Sequence, residues 1–281
     1  MFEDSVDAAI AASLSLILEV SGNPKAGNVD REHNFHDLRY EHFIASAVGA
    51  VPAFITVARN KKIGDGILNA VRESMRWHKA GNVHFGAFLL LVPLIAAWDY
   101  GRKEDVAMGA VTLLKKSDYR DSLKVLEAFR MCKARVVKAE RYDLQDEKTE
   151  NEIKDKRMNL YDWMKIAPDD NLVAKELVEG YRISLFGAEI LLNMNADTNE
   201  SIVTLYHTLL SLYPDPLIIA KKGRKYAEKV VEWAKEVVEC MDIKKIRMLD
   251  EKLIMDKANP GTIADLTVSS IYLALHEGWK I

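Results

Sequence analysis

From Val6 to Leu275 the apolar residues return at intervals of three and four, and no stretch alternates apolar and polar residues between hairpin turns. Only a helix buries a stripe of that period, so the chain is constrained to an all-α fold before any motif is considered. Val6, Ile10, Leu14, Ile17 and Leu18 make the first stripe, over Val6–Val20. Helices are predicted next over Tyr40–Ala58, Ile63–Trp77 and Phe85–Trp98, with two more between residues 104 and 139. The pattern resumes over Leu172–Leu192, Ser201–Leu212 and Tyr226–Val238, and Thr262–Leu275 reads as the last helix. Most of the 7 prolines and 14 glycines fall between these segments, as helix boundaries require. Residues 143–157, DLQDEKTENEIKDKR, break the pattern: besides Leu144 only Ile153 is apolar, which predicts a solvated helix or a mobile excursion. Polar motifs lie on both sides of it, so residues 1–281 are read as a single multi-helix domain with a cleft formed by inter-helix loops.

Composition excludes several function classes. A net charge of −3 argues against binding nucleic acid, which relies on clustered Lys and Arg to neutralise phosphates. The most apolar run, Phe85–Trp98, contains Pro93 and is too short to span a bilayer, so no membrane partner is expected. The N-terminal Met-Phe-Glu-Asp-Ser lacks the positive start of a signal peptide, and Cys132 and Cys240 have no CxxC spacing. A cytoplasmic location and buried, structural cysteines are the expectation. The sequence leaves room for a homo-oligomer.

Four loops carry unusual polar density. The pentapeptide KAGNV occurs in two of them, at Lys25–Val29 and Lys79–Val83, and the copies diverge at once on either side. Both read as turns in which a Gly-Asn pair frees backbone amides. The first loop, residues 21–43, follows Glu19 and brings Lys25, Gly27, Asn28, Asp30, His33, His36, Asp37 and His42 together, with Asp37 alternatively a plain helix cap. The second, residues 78–88, places Gly81, Asn82 and His84 at the start of the Phe85 helix, where free N–H groups attract anions. The third fixes Asp215 between two prolines, ahead of Lys221 and Lys222. The fourth, NPGTIADL, holds Asn259, Gly261 and Asp265; Thr262 and Asp265 have capping-box spacing, which competes with a metal-binding role for Asp265. Acids for a divalent cation, lysines for phosphate and glycine amides together point to metal-assisted chemistry on a phosphorylated small molecule. No P-loop or dinucleotide fingerprint is present.

Taken in order, these loops resemble the triphosphoribosyl-dephospho-CoA synthase family. Glu19 precedes NPKAGNV (residues 23–29), similar to that family's TPKPGxV loop, and His36-Asp37 matches an HxD-like element. Gly81-Asn82-Val83-His84-Phe85-Gly86 resembles its GxNTHxG segment, and Asp215 through Lys222 its D-(T/S)-x-I-x-(R/K)-K segment. The NPGxxADL signature stands unaltered at Asn259–Leu266. The likeness runs from residue 13 to residue 275; Ala26 replaces a Pro, Val83 a Thr and Pro216 a hydroxyl residue.

The resemblance implies an all-α transferase that uses ATP as a ribosyl donor. The 2′-hydroxyl of dephospho-CoA attacks C1′ of the ATP ribose and adenine leaves, giving a prosthetic-group precursor for citrate lyase or malonate decarboxylase acyl carrier proteins. It implies Mg²⁺ on Asp37 and Asp265 with help from Glu19. Lys25, Lys221 and Lys222 would meet phosphates, with Gly27, Gly81, Asp215 and Gly261 lining the substrate. Asn28, Asn82 and Asn259 would orient ribose or phosphate, and His36 or His84 would be the base. A related nucleotide-dependent enzyme of another cofactor pathway, such as one-carbon carrier biosynthesis, and a non-catalytic nucleotide-binding helical protein are the alternatives.

Overall fold

The computed structural model describes residues 1–134, 144 and 146–281. Among these the chain forms sixteen helices and no strand. The first seven are α1 (Ser5–Ser21), α2 (Tyr40–Gly49), α3 (Val51–Asn60), α4 (Ile63–Met75), α5 (Phe85–Ala96), α6 (Lys103–Lys116) and α7 (Tyr119–Cys132). After the undescribed stretch come α8 (Thr149–Lys156), α9 (Leu160–Lys165), α10 (Leu172–Glu179), α11 (Arg182–Asn193) and α12 (Thr198–Leu212). The chain ends with α13 (Pro216–Lys222), α14 (Arg224–Val238), α15 (Ile243–Met255) and α16 (Gly261–Glu277).

Two helices occupy the centre. α5 is apolar on every side, and all of its residues but Gly86 are buried, as a helix without a polar face must be. α16 packs on α1, α5, α11 and α12. Its Thr267, Ser269 and Ser270 are buried because each hydroxyl bonds back to a carbonyl of its own helix. The main core cluster draws on residues from Ala8 to Ala274, including Ile153 of α8.

Three boundaries differ from the sequence pattern. The Tyr40–Ala58 stripe is divided at Ala50, because Pro52 has no N–H for the Val48 carbonyl, which bonds the Ala50 amide instead. The Leu172–Leu192 stripe is divided at Gly180 and Tyr181, both left-handed, with φ of 85° and 59°. The Glu176 carboxylate turns back across this break and accepts the Ile183 and Ser184 amides at 2.8 Å and the Ser184 hydroxyl at 2.5 Å. It caps α11 in place of Tyr181, whose hydroxyl donates to the Leu90 carbonyl inside the core. The short helices α9 and α13 and the amphipathic α15 are additions to the pattern. The polar excursion contains α8, exposed apart from buried Thr149 and Ile153 and half-buried Glu150; residues 143 and 145 and the predicted helix beyond Ala134 lie outside the described residues.

Cys132 is buried, as expected, and burial pushes its thiol up to about 11. Cys240 is exposed, against expectation, at the end of α14. Among the described residues one stretch, Tyr40–Asn60, is long and apolar enough to cross a bilayer, and α12 with α13 passes the same test only as a pair bent by 53°. Tyr40–Asn60 packs on α1 and α4, and 44% of its apolar window is buried inside the fold.

Glu176→Ala should cost about 2–4 kcal/mol, because it strands two buried amides and leaves the Ser184 hydroxyl only its bond to Ser269 at 2.7 Å. Urea denaturation would measure this, and Glu176→Gln, which keeps an acceptor, should lose less.

Candidate active site

α1 delivers Glu19 to the interior, and the loop that follows, which includes a cis Asn23–Pro24 peptide, returns Lys25 to it six residues later. Glu19 and Lys25 form a buried ion pair, with the Lys25 ammonium also 5.5 Å from the centre of the Tyr206 ring. The loop around them is sealed by its own backbone bonds. The Lys25 amide donates to Asp30 at 3.1 Å, the Ala26 amide to His207 Nε2 at 3.3 Å and the Gly27 amide to Asp250 at 2.8 Å. Gly27 has φ of 74°, and a Cβ there would meet Leu253 and the Ala258 carbonyl. His33 Nδ1 lies against the second oxygen of Asp250. The amides of the first KAGNV copy are therefore engaged by the protein, which corrects the expectation that they are free.

Asp215 joins two helices. One oxygen caps its own helix α13, accepting from the Leu217 and Ile218 amides at 2.7 and 3.1 Å. The other accepts from the Ile263 amide of α16 at 3.0 Å. The capping-box reading of Thr262 and Asp265 is thereby corrected: α16 starts a residue earlier, at Gly261, and Asp215 serves its N-terminus.

Asp265 is free for another position, the start of α5. A Cβ on Gly86 would overlap its Oδ2, and the Ala87 amide faces it. The anion seat at this helix start is thus filled by a carboxylate of the protein. Asn82 does not adopt the left-handed backbone expected for it, and its Oδ1 accepts the amide of Phe85, the first residue of the same helix, at 3.0 Å. Burial, followed by the charges of Glu19 and Asp215, holds the Asp265 carboxyl well above the ordinary carboxylate range, and the Ala87 amide opposes this. Burial also raises Asp215 to about 6 against its four backbone hydrogen bonds. His84, the residue before α5, is buried and held neutral: burial, then the His78 and Lys25 charges, lower it to about 3.

The structure thus brings Glu19, Lys25, Asp215, Asp265 and His84 together, with Asn28 beside Tyr206, whose hydroxyl is held neutral by burial and then by the charges of Glu19 and Asp215. Three buried polar atoms around this cluster have no partner: Asn28 Nδ2, His84 Nε2 and Asn259 Oδ1. Gly261 lies against Leu217 at the start of α16. His36 and Asp37 are exposed on the loop before α2 and join none of these contacts. Asp37 does not cap α2 either, since Arg39 holds that position and Asn34 accepts the Tyr40 amide. Gly81, Lys221 and Lys222 are exposed. Tyr206, His207 and Asp250 were missed by sequence reasoning because they sit within ordinary helical stripes; the one available signal was an acid or histidine at a core position.

The molecule is an all-α protein whose helix starts converge on a buried acidic cluster beside a lysine and a neutral histidine. Residues 5–281 match the model of the CitG family, described as ATP:dephospho-CoA triphosphoribosyl transferase, and the chain belongs to that family. It is a transferase. Among solved structures it is similar to a protein of Archaeoglobus fulgidus assigned as a triphosphoribosyl-dephospho-CoA synthase. The two are 54% identical with a TM-score of 0.74, over 84% of this chain and 100% of the other. No curated protein matches the chain at a significant level. The family match favours the transferase over the two alternatives raised by the sequence.

Two predictions follow from the geometry. Gly86→Ala should displace Asp265, lowering stability by about 1–3 kcal/mol and turnover by at least about tenfold. The second concerns pH. The unfolded chain binds protons at His84 and His207 near 6.5, whereas the folded values are about 3 and about 4, so both histidines cost stability as pH falls below 6.5. Asp215 acts in reverse, with 3.8 its ordinary value and about 6 its folded one, so its contribution is gained as pH falls through about 6. Thermal melts between about pH 7 and about pH 5 should show a shallower loss for wild type than for Asp215→Asn, which lacks the offsetting proton uptake. Parallel curves would remove Asp215 from this balance.

Proposed function

We propose that this chain is a single-domain cytoplasmic enzyme that moves the 5-triphosphoribosyl group of ATP to the 2′-hydroxyl of 3′-dephospho-CoA, releasing adenine. The observation that carries the site assignment is the cluster of Glu19, Asp215 and Asp265, in which Asp265 is seated against Gly86 at the start of α5 and its pKa is raised by burial and then by the charges of the other two. Breaking the C1′–N9 bond leaves the electron pair on adenine and positive charge on the ribose, which buried carboxylates stabilise. The attacking hydroxyl must lose its proton, and His84 is neutral with Nε2 unpartnered, as a base requires. Lys25 has three donors and gives one to Glu19, so donors remain for a phosphate. Asn28 and Asn259 each keep an unpartnered polar atom for ribose or phosphate.

Mg²⁺ fits as a companion of the triphosphate. Among the described residues no three acids, histidines or cysteines form a ready-made metal site. Magnesium commonly uses one or two carboxylates and takes its other ligands from phosphates and water. Glu19, buried, and Asp265, half-buried and held above the carboxylate range by burial and then by the charge of Glu19, are the residues that would hold it. Bound there, it would neutralise triphosphate charge. Asp37, exposed on its loop, is outside this pair.

Incubation with ATP, Mg²⁺ and dephospho-CoA, followed by chromatography, should yield free adenine and one adduct retaining the triphosphate. Adenine released only with another acceptor would overturn the acceptor, and ATP binding without turnover across an acceptor panel would overturn the enzyme. Glu19→Gln and Asp265→Asn should each lower adenine release by roughly 10²–10³-fold.

A further inference from the structure

His84 is the first member of a chain of side chains that runs from the buried site to a partly exposed residue. Its Nδ1 shares a hydrogen bond with Ser46 Oγ of α2 at 2.8 Å. Ser46 Oγ shares one with Ser74 Oγ of α4 at 2.6 Å, and Ser74 Oγ one with His78 Nε2 at 3.1 Å. Ser46, Ser74 and His84 are buried, while His78 reaches the partly exposed edge where the second KAGNV loop begins. Ser74, His78, Asn82 and His84 line one cavity, walled on its apolar side by Val71 and Phe88. The outer nitrogen at each end, His84 Nε2 and His78 Nδ1, is buried and has no hydrogen-bond partner.

A hydroxyl donates one proton and a neutral imidazole carries one, so the four groups share a single polarity. If His84 Nδ1 donates, Ser46 donates to Ser74, Ser74 donates to His78, and His84 Nε2 is a lone pair. If His78 Nε2 donates, every bond reverses and His84 Nε2 carries hydrogen. The tautomer of the buried histidine is therefore coupled to that of the outer one across residues from three separate segments.

We propose that His84, Ser46, Ser74 and His78 form a proton relay, in which His84 Nε2 accepts the proton of the attacking hydroxyl and His78 passes a proton to solvent. The inference rests on the transfer reaction proposed above. The acceptor oxygen forms its bond to C1′ as the C1′–N9 pair leaves with adenine, which takes its proton from water. The hydroxyl proton goes to His84 Nε2, the Nδ1 proton to Ser46, the Ser46 proton to Ser74 and the Ser74 proton to His78 Nε2. His78 then loses its Nδ1 proton to a water that its partly exposed edge of the cavity must admit, since Nδ1 itself is closed to solvent here. Product release admits water, which takes the Nε2 proton as His78 regains one at Nδ1, and the first polarity is restored. His84 is the catalytic residue of this set; Ser46, Ser74 and His78 are positioning residues that act through it.

The test uses the full chain with ¹⁵N-labelled histidine. Ser74 does not bond His84, yet Ser74→Ala should change the His84 ring-nitrogen shifts in the ligand-free protein. It should also lower kcat by about 10- to 100-fold with KM for ATP within about twofold, and shrink the solvent deuterium isotope effect on kcat. Ser74→Thr, which keeps the hydroxyl, should restore all three. His78→Gln, at the partly exposed end, gives a second interruption if Ser74→Ala fails to fold. Unchanged His84 shifts, or changed shifts with an unchanged kcat, would overturn the relay. Absence of adenine from wild type with dephospho-CoA would instead overturn the transfer reading, while the ligand-free shifts still decide whether the chain is coupled.

Discussion

One carboxylate, Asp215, holds two helix N-termini at once, and the geometry of the buried site depends on it. Its two oxygens accept from α13 and from α16, so the two helix starts are fixed relative to each other by a single rigid group. Helix starts carry unsatisfied amides and partial positive charge, which makes them natural partners for an acid. Once Asp215 serves α16, Asp265 need not, and it projects across to α5. The cap that Asp215 gives α16 thus leaves an acid of that same helix free to reach α5.

The result is an interior with an excess of negative charge and a single ammonium, Lys25, in direct contact with it. Burying a carboxylate without full pairing is costly, and proteins answer by raising its pKa, by surrounding it with donors or by binding a cation. Asp215 uses donors, Glu19 uses Lys25, and Asp265 has one amide and a raised pKa. Around them lie unpartnered atoms of Asn28, Asn259 and His84. Such loose ends are uncommon in a finished core, and each calls for an explanation.

Much of the fold could be read from the period of the apolar residues, because α1, α4, α5, α12, α14 and α16 each bury one continuous stripe or run. The breaks were harder. Nothing in the local pattern around Gly180 shows that Glu176 will fold back to cap the following helix, since that contact exists only once the turn has formed. At the site, the glycine and asparagine loops were legible as loops, but their hydrogen bonding was not. Gly27 bonds a residue 223 positions away, a separation no spacing rule reaches. The two KAGNV copies illustrate the limit: the first has its amides engaged, whereas in the second Gly81 is exposed and Asn82 accepts the first amide of a helix. Ser46 and Ser74 gave no signal, being small polar residues in apolar helices whose meeting depends on how α2 packs on α4.

The position of Asp265 also governs what kind of molecule the start of α5 can receive. An empty helix start welcomes any anion of suitable size. Here the Asp265 carboxyl holds the seat, and its raised pKa is the physical cost of keeping it there: an ionised Asp265 would repel a bare phosphate, and the neutral acid would not. The start of α5 thus answers to the charge on Asp265 as well as to the shape of what approaches it.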